Sequence, residues 1–105
     1  MTNHEGFIYL IRENNDSNNY KIGSAKQIGT RIKGLQTGNP DELILIKSFS
    51  TKNRFKLEHM LHRHYYDKRG LGEWFVFEKN DVDLFDDICK KYQRIIDSLV
   101  DNPFF

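Results

Sequence analysis

The chain has 105 residues, 38% of them hydrophobic and 13% aromatic, with a formal net charge of +1. That length suits one domain spanning 1–105 and argues against a second with a core of its own. No run approaches the roughly 20 apolar residues that cross a bilayer, the start Met1 to Glu5 has no basic, apolar leader pattern, and the single cysteine excludes an internal disulfide, so a soluble, intracellular protein with no membrane partner is expected.

Residues 6–12 alternate Phe7, Tyr9 and Ile11 against Ile8, Leu10 and Arg12, which predicts a strand covered on both faces. The run Asn14-Asn15-Asp16-Ser17-Asn18-Asn19 is a turn, because these side chains hydrogen-bond locally, and residues 20–23 return as the second strand of a hairpin. Residues 24–35 read as a helix with Ile28, Arg31, Ile32 and Leu35 at helical spacing, ending near Gly38-Asn39-Pro40. The isoleucine-rich run 43–49 is a third strand. Residues 51–67 form a helix whose core stripe is Leu57, Leu61 and Tyr65. After Gly70-Leu71-Gly72, residues 73–77 have the content of a short strand or extended segment, with Trp74 and Phe75 in the core. The last helix, about 80–101, opens on Asn80 with Asp81 and Asp83 in its first turn and carries Phe85, Ile88, Tyr92, Ile95, Ile96 and Leu99, with Cys89 in ordinary packing. The sum is an α+β domain with a small, mostly antiparallel sheet and helices packed on it.

Charge is unevenly distributed. Residues 21–56 hold eight bases against two acids, and residues 81–101 hold six aspartates against three bases. Such a split lets one face attract phosphates while the whole molecule stays near neutral.

The basic half contains groups suited to handling a phosphodiester, which needs a base to prepare water, positive charge to meet the charge developing on phosphorus, and usually a divalent cation. Tyr9 offers a phenol, Lys21 an ammonium, and Arg31, eight positions after Gly23, a guanidinium. Lys21 and Gly23 share one strand face and Tyr20 and Ile22 the other. Glu58, next to Leu57, lies at the margin of its helix's core stripe, and His62 four residues on shares its face. His59, His62 and His64 present only two ligands on one side, with no cysteine to complete a zinc site.

In their order and spacing, Phe7-Ile8-Tyr9, Lys21-Ile22-Gly23, Arg31, Leu57-Glu58, His62 and Gly72-Glu73-Trp74-Phe75 resemble the motifs of the GIY-YIG nuclease superfamily over residues 6–77. The lysine of the second motif resembles the phage and mobile-element branch, whose domains are often described as DNA-binding. The resemblance implies a three-stranded sheet flanked by helices and a metal-dependent DNA endonuclease acting on phosphodiester bonds. Its catalytic set is Tyr9, Lys21, Arg31, Glu58 and His62. Tyr9 helps to activate water, and Arg31 grips the scissile phosphate with a two-pronged contact that no lysine would reproduce. Lys21 holds phosphate, Glu58 binds one Mg²⁺ or Mn²⁺, and His62 orients that carboxylate or shuttles a proton. Tyr20 and Glu73 are expected in support.

The expected partner is double-stranded DNA, met by Lys21, Lys26, Arg31, Lys33, Arg54, Lys56, Lys68 and Arg69, with no nucleotide cofactor. Two alternatives stand beside this: a module on the same scaffold that holds DNA without cutting it, and a small interaction domain. The latter would use the acidic last helix and Pro103-Phe104-Phe105 to dock a partner or form a homodimer.

Overall fold

Alternating apolar residues in the first quarter of the chain produce a hairpin around which everything else is arranged. The computed structural model describes residues 4–70 and 74–100. Strands β1 (Gly6–Glu13) and β2 (Asn19–Ala25) pair antiparallel, with Tyr9 opposite Gly23. Helix α1 (Ile28–Thr37) follows, then β3 (Leu43–Thr51), which pairs antiparallel with the other side of β1. Helix α2 (Arg54–His64), a 3-10 turn at Tyr66–Lys68, the two-residue strand β4 (Phe75–Val76) and helix α3 (Lys79–Val100) complete the order. The sheet runs β3-β1-β2-β4 and is antiparallel throughout.

The pleat of β1 sends its side chains alternately to two apolar clusters. Ile8 and Leu10 join Ile22, Leu57, Leu61, Tyr65, Phe75, Phe77, Phe85, Cys89 and Ile96 beneath α2 and α3. Tyr9 and Ile11 join Ala25 and Leu43 on the opposite face, where Ile32 and Leu35 of α1 and Trp74 pack against them. Strand β3 is tied to α3 by Lys47 Nζ to Asp86 Oδ2 at 3.1 Å and by the Thr51 hydroxyl to Gln93 Oε1 at 2.5 Å. Cys89 is fully buried, and burial, reinforced by Asp86, pushes its thiol up to about 12, as an inert packing residue requires.

The α+β class agrees with the expectation, and four particulars are corrected. The sheet has four strands rather than three, because Phe75–Val76 pairs with Asn19 and Tyr20 and the Phe77 amide donates to the Asn18 carbonyl at 3.0 Å. β2 continues through Ser24 and Ala25, residues expected in a helix, since Ala25 pairs with Phe7 and is buried. α2 is shorter than 51–67: Thr51 belongs to β3, and the chain tightens into the 3-10 turn after Tyr65. Ile95 and Leu99, expected in the α3 stripe, remain 39% and 37% exposed while Phe85, Cys89 and Ile96 take the core. Glu73 and Pro103-Phe104-Phe105 lie outside the described residues. No helix among the described residues is long and apolar enough to cross a membrane.

At the end of α2, His64 Nδ1 lies 2.8 Å from the Tyr92 hydroxyl of α3. Burial first, and the Lys91 ammonium second, hold His64 below its ordinary value of 6.5. Folding therefore favours the neutral ring beside the Tyr92 hydroxyl. The stability this contributes is present above the unfolded value and is lost as pH falls through the lowered folded one. Thermal melts between pH 7 and pH 5 should show the wild-type midpoint falling more steeply than that of His64→Gln. Parallel curves would contradict this.

Candidate active site

Because β4 pairs only with Asn19 and Tyr20, Lys21 to Ala25 of β2 have no strand neighbour on that edge among the described residues. The edge is where the two faces of the sheet meet, so groups from both can reach one hollow. A cavity of about 270 Å³ opens there, lined by Tyr9, Lys21, Ile22, Gly23, Ser24, Arg31, Arg54, Phe55, Glu58 and His62.

Tyr9 forms the floor. It sits in the middle of the sheet, is 1% exposed, and lies across its cross-strand partner Gly23. A Cβ at Gly23 would stand 2.8 Å from Tyr9 Cε1 and closer still to Cζ and Oη, so only glycine lets the ring lie flat over the strand. Lys21 and Gly23 share that face, as the alternation predicted. The Lys21 ammonium sits 5.9 Å from the centre of the Trp74 ring, and its side chain lines the hollow. Arg31, exposed on the first turn of α1, closes the same side.

The other wall comes from α2. Ser24 Oγ donates to Glu58 Oε1 at 2.5 Å, and Glu58 Oε2 stands 3.7 Å from His62 Nε2, one helical turn on. His62 Nε2 is 2.8 Å from the Ile22 carbonyl; a carbonyl only accepts, so Nε2 carries the proton and donates it. The ring, edge-on to Phe75 at 5.2 Å, thus caps an acceptor on the open strand edge and pins α2 to β2 beside the carboxylate. Arg54 Nε donates to the Glu5 carbonyl at 3.2 Å, and its guanidinium lies 4.1 Å from the centre of the Phe55 ring, holding it at the cavity mouth.

The donor set can be tested against a divalent cation. Glu58 is 30% exposed, and both its oxygens keep lone pairs free after the contacts above. Among the described residues no three His, Cys, Asp or Glu side chains come together, so an all-protein cage is not formed. A hard cation that retains most of its waters and shares them with a phosphate needs only one or two carboxylates, which fits Mg²⁺ or Mn²⁺.

The five expected catalytic residues, Tyr9, Lys21, Arg31, Glu58 and His62, therefore line one hollow, joined by Arg54. The other expected contacts do not gather there. Tyr20 faces the opposite cluster, stacked on Phe77 at 5.5 Å, where strand alternation removes it from the site. Lys68 pairs with Asp81 at 3.2 Å at the start of α3, and Arg69 bridges to Phe75 beyond the end of the cavity. Lys33 and Lys56 are exposed on α1 and α2 and line none of the described hollows, whereas Lys26 lines two neighbouring ones. Sequence reasoning missed Ser24, the partner of Glu58. The signal was present: extending β2 by two residues puts Ser24 on the Ile22 face, toward α2.

Among known families, the T5orf172 domain matches residues 6–91, most of the chain. This overturns the resemblance to the GIY-YIG superfamily, because the matched family is a distinct one. The motif triplets are short, while the match follows the whole pattern from β1 into the middle of α3. It is compatible with a DNA-related function. No curated protein and no solved structure matches.

Proposed function

The chain belongs to the T5orf172 domain family, and on that premise we propose that it is a metal-dependent DNA endonuclease whose hydrolytic site is the cavity at the open edge of β2. The observation that carries this reading is the convergence of a phenol, an ammonium, a guanidinium and one carboxylate from both faces of the sheet on a hollow of about 270 Å³.

Arg31 grips two oxygens of the scissile phosphate at once, and Lys21 adds a point charge beside it. Glu58, oriented by Ser24 and flanked by His62, would hold the Mg²⁺ or Mn²⁺. When bound, the cation stabilises charge on the leaving oxygen. Tyr9 places its phenol at the floor of the cavity that Lys21 and Arg31 also line, where its oxygen can align the attacking water. Arg54 extends the positive rim outward.

A second reading, a module that holds DNA without cutting it, is favoured by one observation: Glu58 is the only carboxylate among the described residues lining the cavity. The two are separated by incubating supercoiled plasmid with the protein in Mn²⁺ or in EDTA and assaying duplex retention on the same preparations. Nicking in Mn²⁺ that stops in EDTA is the expected result. Retention that weakens with salt and no product in either condition would select the binding module.

A further inference from the structure

A second hollow, of about 560 Å³, adjoins the candidate active site and shares Ser24, Arg31 and Arg54 with it. Its remaining wall includes Lys26 and Thr30, and no carboxylate lines it among the described residues. Three cations facing one space without an acid is a local potential that a molecule of net charge +1 produces only by arrangement.

The first turn of α1 adds to that field, since it holds no acidic residue and Gln27 makes no side-chain cap. Arg54 is already fixed by the Glu5 carbonyl and the Phe55 ring, so little freedom is lost when an anion arrives. Beyond Lys26 the field changes. A neighbouring hollow, of about 710 Å³, sets Lys26 and Lys52 against Glu5 and Asp97 and is therefore not anion-selective.

We propose that the hollow walled by Lys26, Arg31 and Arg54 seats the phosphate adjacent to the scissile one on the same strand, so that the ligand is a polynucleotide chain running from the cavity toward the start of α1 and ending its close contacts at Lys26. The proposal rests on the DNA reading above and adds a direction and a second contact to it. Arg31 and Arg54 stand between the two phosphates and serve both. Lys26 belongs to the second alone, and this makes it the residue to test.

The experiment measures binding of a fluorescein-labelled 20-base-pair duplex in EDTA over a KCl series, by anisotropy, for wild type, Lys26→Ala and Lys33→Ala. Both lysines are exposed, so neither change removes core packing, and Lys33 lines none of the described hollows. Lys26→Ala should weaken binding about 5–10-fold and lower the slope of log K against log salt by roughly 0.9, the release of one phosphate contact. Lys33→Ala should stay within about twofold. If the wild type binds but the two variants shift alike, or Lys26→Ala shifts neither quantity, the adjacent-phosphate site is overturned while the cavity reading stands. If the wild type does not bind, both fall.

Discussion

Glu58→Gln is expected to slow Mn²⁺-dependent plasmid nicking by about a thousandfold, the scale of losing a group that places charge at the reacting phosphate. The substitution is close to isosteric. The amide oxygen can still accept from Ser24 Oγ, and the side chain remains part-exposed, so packing beneath α2 is undisturbed. What disappears is the formal negative charge, which lets a single protein ligand hold a hard cation. Duplex retention in EDTA should not weaken, because removing a carboxylate from a cavity walled by Lys21, Arg31 and Arg54 makes it more attractive to phosphate. Equal nicking by both proteins would remove Glu58 from the chemistry. A fall in rate accompanied by a lower melting temperature would make it a structural residue instead.

The second large effect concerns the floor of the site. Gly23→Ala should lower stability by roughly 2–3 kcal/mol, because the new methyl would have to displace the Tyr9 ring in the middle of the sheet. For a domain of this size that is a fall in melting temperature of roughly 10–20 °C. The ring cannot swing aside cheaply: Tyr9 is 1% exposed and packed against Ile11, Ala25 and Leu43. Combining the change with Tyr9→Leu separates a steric cause from a general weakness of β2. The double variant should be more stable than the two single effects summed, by about 1 kcal/mol or more. Simple additivity would show that the overlap is not what glycine avoids.

Both predictions depend on how side chains of the hairpin are distributed, and here the sequence was informative. Alternation in β1 and β2 places Tyr9, Lys21 and Gly23 on one face, and the four-residue spacing of Leu57, Leu61 and Tyr65 orients α2 so that Glu58 and His62 lie at its margin. These are local periodicities, readable over a few residues. Ser24 was lost because a serine before Ile28 and Ile32 looks like a helix start, whereas pairing of Ala25 with Phe7, eighteen positions away, keeps the strand going. The fourth strand was equally hidden: two residues carry no periodicity, and Phe75–Val76 becomes a strand only because Asn19 and Tyr20 are beside it. Lys68 shows the same limit, since its partner Asp81 comes from another element and draws it away from the site, whereas alternation along β2 already set Tyr20 on the opposite face, where it stacks on Phe77. The short motifs identified the groups that converge, but the family followed from the pattern over residues 6–91.

The most direct test of the central claim is the position of a cation and a phosphate in the cavity. A crystal of the protein with Mn²⁺ and a duplex carrying a non-cleavable phosphorothioate, measured at the manganese absorption edge, gives both. An anomalous peak is expected about 2.1 Å from a Glu58 carboxylate oxygen, with a phosphate between it and the Arg31 guanidinium. Manganese away from Glu58, or DNA bound with the cavity at the β2 edge empty, would contradict it.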